Sequence, residues 1–301
     1  MLPLAGEEPL SVNTTWKSNF LEQAHIFAQG LPVEAEKWLR IWHQLQGNIW
    51  PTIKTYNQWL NADFAGESAI FSGGGFPIKC VRQTRAPRAR DEGIVIDGQY
   101  QMRIFFTGEV PTRQNNWHDF FNFMSWCAFP KSKAALNMRH VQAFDDATPF
   151  PWKITGGNRG PVQDMLTLFE EAGIICVCPD DSLWESIRNR DWHEVFVRRR
   201  SEVIQKVRFF VFGHALLDVS LLEHPSLHGT CLRVAIDPCD FSDEQELRKN
   251  TDQTLALQIA QSSQLFHSLH LSPIPINGIP GWCAENEDLN YYKNKLIFRG
   301  R

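Results

Sequence analysis

Residues 117–128 carry two stripes of side chains at helical spacing, and this segment constrains the fold more than any other part of the sequence. One stripe is apolar and consists of Trp117, Phe120, Phe121, Met124 and Cys127. The other stripe is polar and consists of His118, Asn122 and Ser125. A helix of this kind packs its apolar stripe into the core of a globular protein. The pattern therefore predicts a largely buried helix with a line of polar side chains beside the core.

The residues that precede this helix favour a well-defined start. Asn115 or Asn116 is a natural N-cap, and Asp119 takes the place of the acidic residue in a capping box. The helix start presents unpaired backbone N–H groups and a positive dipole end. Arg113, just upstream, could join them in holding a carboxylate or a phosphate. Two interpretations stay open: these polar residues only cap the helix, or they form the floor of a pocket.

Helical and extended patterns follow each other irregularly along the rest of the chain. Further helices are predicted at 17–29, 32–46, 52–61, 131–143, 181–188 and 242–269, and a mostly helical stretch at 191–222 with a break near Gly213. Strands are predicted at 94–97, 100–107, 166–169, 174–177 and 231–236. This order is not the regular βαβ alternation of a parallel sheet. We therefore expect an α+β fold, rich in helices, with a small and partly antiparallel sheet.

No internal repeat and no low-complexity tract divides the 301 residues. We expect a single compact domain over residues 1–301, with a helical N-terminal part at 1–60. Residues 144–161 are rich in Pro, Gly and Asp, which predicts a long internal loop. Residues 72–75, Ser-Gly-Gly-Gly, predict a turn, because they lack the Gly-Lys-Ser/Thr ending of a phosphate-binding loop.

The composition is that of a soluble protein. Hydrophobic residues make up 43% of the chain and charged residues 21%. No stretch approaches the roughly 18 consecutive apolar residues of a membrane span, and the first eight residues lack the pattern of a signal peptide. The seven cysteines form no CxxC pair. We expect them to be reduced thiols in a cytoplasmic protein.

The net charge of −4 disfavours a dedicated nucleic-acid binder. Two segments, at 79–90 and 198–208, are instead rich in Lys and Arg. We expect both segments to be ordinary solvated surface. Binding of nucleic acid would require them to share one face of the fold, and it would weaken with added salt.

Two histidines are the leading candidates for catalytic residues. His118 stands at the head of the polar stripe, and His214 lies inside the apolar run FFVFGHALLD. A buried histidine needs a polar partner, and Asp218, one helical turn later, is predicted to orient His214. Each histidine could act as a general base or as a metal ligand. Each is also consistent with a structural role, His118 in a helix cap and His214 as a bonded core residue.

Other polar residues are predicted to support these histidines. Substrate contacts are predicted from Arg113, Asn116, Asn122 and Arg139. Metal ligation, or orientation of the histidines, is predicted from Asp119, Asp164, Glu170 and Asp218. Glu170 and Glu171 are adjacent and are predicted to lie at a turn between two strands, where carboxylates are often simply solvated.

Several segments are distinctive in combination. The segments GEVPTRQNNWHDFFNFMSWCAFPKSKAALNMRH, FFVFGHALLD and PINGIPGW occur in this order, with MLTLFEEAGIICVC between the first two. Together they resemble an uncharacterised bacterial family that is known only as a domain of unknown function, DUF3025. The resemblance extends from about residue 30 to the end of the chain. It implies a bacterial, soluble protein, and it brings no activity, substrate or catalytic residue with it.

Two functions of different classes follow from these residues. The first is an intracellular hydrolase whose site is centred on His118 and His214, with either a histidine base or a divalent metal. It requires the two histidines to converge in the fold. The alternative is a non-catalytic module that binds an anionic small molecule or a protein partner through Arg113, the start of the helix and the 79–90 segment. A small-molecule substrate is therefore expected if the protein is a hydrolase. The non-catalytic module would bind either an anionic small molecule or a protein.

Overall fold

The computed structural model describes residues 41, 49–63, 69–83, 100–147, 160–220, 226–236, 243–261 and 271–300. Apart from Ile41, the helices predicted at 17–29 and 32–46 lie outside these residues. The strand predicted at 94–97 and residues 148–159 of the predicted loop also lie outside them.

The described strands form two sheets. They are β1 (Lys79–Arg82), β2 (Glu109–Thr112), β3 (Gly173–Val177), β4 (Arg208–Val211), β5 (His228–Val234) and β6 (Ser272–Pro275). β1 and β2 pair in parallel. The other four strands form a mixed sheet in the order β4-β3-β5-β6, with β3 and β5 parallel and both outer pairs antiparallel. The small, partly antiparallel sheet is therefore confirmed.

Helices surround these sheets, and the predicted helix-rich α+β class is confirmed. The described α-helices are α1 (Ile53–Gln58), α2 (Tyr100–Thr107), α3 (Trp117–Ala128), α4 (Pro130–Ala147), α5 (Pro161–Ala172), α6 (Asp181–Arg188), α7 (Arg200–Lys206), α8 (His214–Ser220) and α9 (Glu244–Gln261). Shorter elements are the π-helical turns Trp59–Asp63 and Glu194–Arg198 and the 3-10 helices Ile276–Gly278, Ala284–Glu287 and Leu289–Lys293. None of the described helices has the length and apolarity needed to cross a membrane.

β3 is buried along its whole length because both faces of its sheet are covered. Its side chains alternate between two cores, as the pleat of a strand requires. Ile174 and Cys176 belong to a core that includes the aromatic residues of α3. Ile175 and Val177 belong to a second core that includes residues of α4, α5 and α9. A strand buried on both faces has an unbroken apolar sequence, which explains the run GIICV.

Three segments differ from their predicted secondary structure. Residues 100–107 are helix α2 and residues 166–169 lie inside helix α5, where strands were predicted. Residues 208–211 are strand β4, where a helix was predicted. Short apolar runs do not distinguish a helix from a strand. For α5 the sequence does carry a helix signal, Pro161 in the first turn. Just before β4, the side chain of Arg208 donates to the carbonyls of Ile204, in α7, and Val207, its C-cap.

The remaining predictions have mixed outcomes. The helices predicted at 131–143 and 181–188, and the strand at 174–177, are confirmed to within a few residues. α4 continues through Ala147, so residues 144–147, which were predicted to begin a loop, are helical. The six described cysteines are free thiols, and Cys239 lies outside the described residues. The division into a single domain stays a prediction.

Candidate functional site

His118 and His214 lie next to each other. Their ring centroids are 4.4 Å apart, and their planes are at 82°. Oε2 of Glu171 lies 3.4 Å from Nε2 of His118 and 3.9 Å from Nε2 of His214. One ligand atom from each of these three residues lies within 4.8 Å of the other two. We call His118, Glu171 and His214 the triad.

Three helix ends bring the triad together. His118 is in the first turn of α3, Glu171 is in the last turn of α5, and His214 is the first residue of α8. α5 leads directly into β3, and β4 leads into α8 through a two-residue connection. The N–H of Gly213 in this connection donates to the carbonyl of Gly173 at 2.8 Å. The pairing of β3 with β4 therefore places Glu171 beside His214.

Two of the three residues in the polar stripe of α3 serve this arrangement directly, and the third, Asn122, binds Tyr100 and Lys133. His118 belongs to the triad. Ser125 donates from Oγ to the carbonyl of Phe212 at 3.0 Å and fixes the chain just before His214. Asn122, between them, faces buried polar groups. The stripe that stood out in the sequence is therefore a row of contacts that hold the site.

Asn116 caps α3, as predicted: its Oδ1 accepts from the backbone N–H of Asp119 at 3.0 Å. Alanine offers no acceptor, so Asn116→Ala should lower the free energy of unfolding by about 1 kcal/mol. Urea denaturation measures this change. Gln114→Ala, at an exposed position of the same loop, should leave the stability unchanged. Equal losses in the two variants would contradict a specific capping role.

Asp119 orients His118. It accepts from Arg113 three times, from the backbone N–H at 2.6 Å, from Nε at 3.0 Å and from Nη2 at 2.8 Å. Nδ1 of His118 lies 3.3 Å from Oδ1 of the same carboxylate, which leaves Nε2 facing Glu171. A carboxylate on one imidazole nitrogen is the usual support of a metal-binding histidine. Arg113, predicted as a substrate clamp, is thus engaged with Asp119.

The two histidines have opposite electrostatic environments. Hydrogen bonds to Asp119 and then to Glu171 raise the pKa of His118 to about 9. Burial, aided by the charge of Lys133, lowers the pKa of His214 to about 4. At pH 7, His214 is therefore neutral, whereas His118 holds a proton between two carboxylates. A metal ion at the triad would take the place of that proton.

A buried lysine lies near the triad. Nζ of Lys133 is 2.5 Å from Oε1 of Glu170 and 3.0 Å from Oδ1 of Asn122, and it lies 5.3 Å from the ring centroid of Trp126. Oε2 of Glu170 accepts from Nε2 of Gln101 at 2.8 Å. Burial is the largest single effect and acts to raise the pKa of Glu170. The charge of Lys133, the hydrogen bond to His140 and the charges of His140 and His214 together outweigh it and hold that pKa well below its usual range.

The carboxylate that faces both histidines is that of Glu171, whereas the acid put forward from the sequence was Glu170. Consecutive residues of a helix point about 100° apart. Glu171, with a side chain 40% exposed, faces the triad, and Glu170 points toward Lys133. Because residues 166–169 were predicted to form a strand, the different directions of the Glu170 and Glu171 side chains could not be predicted.

Three other predicted residues lie outside the triad. Asp218, expected to orient His214, has no hydrogen bond or ion pair with it; burial raises the pKa of Asp218. Asp164 is exposed in the first turn of α5. Arg139 donates from Nη1 to Oε1 of Gln142, one turn later in the same helix, α4. The roles assigned to Asp164 and Arg139 stay predictions.

Four polar residues near the site were not predicted from the sequence, namely Tyr100, Gln101, Lys133 and His140. Nε2 of His140 lies 3.6 Å from Oε2 of Glu170. Lys133 did carry a signal, because it stands on the apolar face of α4 between the buried residues Phe129 and Leu136. A lysine at a core position needs a buried partner.

Neighbouring acids pair with the arginines of the 198–208 segment. The pairs are Arg198 with Glu194 at 3.3 Å, Arg199 with Glu202 at 2.8 Å and Arg200 with Glu287 at 2.9 Å. These three arginines are therefore arranged as local ion pairs. Most of the other basic segment, residues 84–90, lies outside the described residues.

Comparison with known proteins gives a family. Residues 89–301 match the model of a family described as a protein of unknown function, DUF3025. No curated protein and no solved structure matches the chain. The matched region contains the whole triad, Asp119 and Lys133. Because it covers most of the chain, the protein belongs to the DUF3025 family.

Proposed function

We propose that this protein is a hydrolase that depends on a divalent metal bound by the triad. The observation that carries the proposal is the convergence of three ligand atoms, from three separate helix ends, within 4.8 Å of one another. A tetrahedral zinc ion with ligands at about 2.0–2.1 Å sets its ligand atoms roughly 3.3 Å apart. The distances of 3.4 and 3.9 Å from Glu171 to the two histidines are close to that value.

The ligand types agree with a catalytic rather than a structural metal. Two imidazoles and one carboxylate are found at catalytic zinc and non-haem iron sites, where open positions accept water and substrate. Nδ1 of His214 has no hydrogen-bond partner among the described residues, and Nε2 faces Glu171. Asp119 supplies the outer support for His118. Zinc is the first metal to test.

A metal with an open position would supply a nucleophile. Held by His118, Glu171 and His214, such a metal would lower the pKa of a bound water and so supply the nucleophile for the hydrolysis of a carbonyl or phosphoryl compound. Asp218 is the candidate to accept the proton from that water. It follows His214 by one helical turn, it has no hydrogen bond or ion pair among the described residues, and burial raises its pKa, which suits a base.

The alternative, a non-catalytic module for anions or a protein partner, has weaker support. Its central residue would be Arg113, and two of the guanidinium nitrogens of Arg113 already bind Asp119. Anion binding that needs no metal is nevertheless one outcome of the experiments below.

The first test is the metal content of the untagged full-length chain. After chelator treatment and reloading, wild type should bind one zinc ion per chain. His118→Ala, His214→Ala and Glu171→Gln should each weaken zinc binding by at least about 100-fold, because each removes one of three ligands. Mass spectrometry of the metal and calorimetry measure this. His193→Ala, which removes an exposed histidine outside the triad, is the matched control and should bind zinc like wild type.

The same samples test the reaction class. The zinc-loaded chain is assayed on ester, amide and phosphoester substrates, and Glu171→Gln should abolish the activity that wild type shows. A wild-type chain that takes up no metal, or triad variants that keep it, would reject the proposed site. Stoichiometric metal with no hydrolysis of any substrate class would reject the hydrolase and leave a metal-binding protein.

Asp119→Asn tests the support of the triad separately. The substitution keeps the size of the side chain and removes the charge that orients His118, so zinc affinity should fall by about 10- to 100-fold. Competition with a chromophoric chelator gives the affinity. Asp164→Asn, at an exposed position of α5, should bind zinc as wild type does. A similar loss in both variants would mean that Asp119 acts only through the overall charge.

A further inference from the structure

The neighbours of Asn122 fix the orientation of its amide group. The ammonium of Lys133 offers only donors, so the amide atom 3.0 Å from it is the oxygen. The amide nitrogen then lies 2.6 Å from the hydroxyl oxygen of Tyr100 and donates to it. The Tyr100 oxygen is therefore an acceptor in this contact. Its own proton must point toward a different partner.

Among the described residues, no acceptor for this proton is found. The hydrogen bonds of Glu170, the nearby carboxylate whose charge acts on Tyr100, go to Lys133 and Gln101 and not to Tyr100. Burial raises the pKa of Tyr100 well above its usual range, so the hydroxyl keeps its proton at physiological pH. Tyr100 thus presents an oriented donor that is not used within the described part of the chain.

The contact with Asn122 links this hydroxyl to the helix that carries His118. Asn122, its donor, follows His118 by one turn on the same stripe of α3. The charges of Glu170 and Asp119 both act on Tyr100; Glu170 adjoins the triad glutamate in sequence, and Asp119 binds the triad histidine of α3. Tyr100 as a whole is 38% exposed, whereas its partner Asn122 is buried.

We infer that Tyr100 donates its hydroxyl hydrogen bond to an oxygen of the ligand bound at the triad metal. This inference rests on the proposed function and specifies the substrate class, namely compounds whose reacting group carries or develops negative charge on oxygen, such as phosphate esters and carboxylic esters. Lys133, Asn122 and Tyr100 then form a chain of hydrogen bonds in which the buried ammonium polarises the amide and the amide polarises the phenol. A fixed donor of this kind stabilises an oxyanion.

Inorganic phosphate is the probe, titrated by calorimetry into the zinc-loaded full-length chain. Tyr100→Phe should keep its zinc and stay folded, with the modest loss of stability expected because the amide of Asn122 loses its acceptor. It should bind phosphate about 10- to 100-fold more weakly, the range for a lost hydrogen bond to a charged group. Tyr291→Phe, which removes a hydroxyl in the Leu289–Lys293 3-10 helix, is the matched control and should bind phosphate like wild type. Zinc content is measured in every sample.

The outcomes separate this inference from the proposed function. Equal phosphate affinity in wild type and Tyr100→Phe, including no binding in either, overturns the role of Tyr100 and leaves the metal site intact. Loss of zinc from Tyr100→Phe also overturns it, because the hydroxyl would then support the metal site and not the ligand. Wild type without zinc overturns both proposals. Phosphate binding of equal strength with and without zinc indicates an anion site that is independent of the triad and overturns the inference.

Discussion

Lys133→Met should lower the free energy of unfolding by about 3–5 kcal/mol, the cost of breaking a buried ion pair from one side. The Lys133 side chain is fully buried, with Nζ 2.5 Å from Oε1 of Glu170. Methionine replaces most of the alkyl chain, so the main change is a buried Glu170 carboxylate without its cation. Urea unfolding of the metal-free protein, followed by tryptophan fluorescence, measures the loss.

Two further variants separate the charge from the packing. The double variant Lys133→Met, Glu170→Gln removes both charges of the pair and should recover most of the lost stability. Lys131→Met, an exposed lysine on the same helix, should change the stability by less than about 0.5 kcal/mol. If Lys133→Met alone lowers the free energy of unfolding by less than about 1 kcal/mol, the ion pair between Lys133 and Glu170 does not stabilise the folded protein as expected.

Much of the fold follows from local patterns in the sequence. α3 was predicted because its two stripes and its Asn116 cap point to the same helix. The strand at 174–177 was predicted because a short apolar run suits a strand covered on both faces. α2 was missed because the buried residues Met102 and Ile104 alternate as they would in a strand. Whether such a run folds as a helix depends on what packs against it, and that is decided by residues far away in the chain.

The candidate site could be predicted only as a set of separate residues. His118 and His214 stood out because each is a polar group in apolar surroundings. Their convergence depends on the pairing of β3 with β4, which the helical interpretation of 208–211 concealed. The roles of Glu171 and Lys133 depend on which face of α5 and α4 each occupies. No spacing in the sequence indicates that the starts of α3 and α8 meet at the end of α5.

Gly213→Ala should cost about 3 kcal/mol, the upper part of the range for an overpacked core position, because the new carbon would lie between two backbone segments. A Cβ on Gly213 would be 2.3 Å from the backbone nitrogen of Gly173 and 2.6 Å from the carbonyl carbon of Ala172. Backbone atoms do not move aside as a flexible side chain does, so the α5–β3 and β4–α8 junctions must separate. These junctions carry Glu171 and His214, so zinc affinity should fall at least about tenfold as well.

Gly300→Ala is the matched control, because its Cβ would meet no atom closer than 3.9 Å, and it should change stability by less than about 0.5 kcal/mol. Urea denaturation and zinc titration of Gly213→Ala answer different questions. Stability equal to that of Gly300→Ala would contradict the close packing of the two junctions. Reduced stability with unchanged zinc affinity would show that the triad does not depend on this contact. Loss of both would mean that the close contact between Gly213 and the Ala172–Gly173 backbone also sets the distance between Glu171 and His214. Position 213 would then be restricted by metal binding as well as by folding.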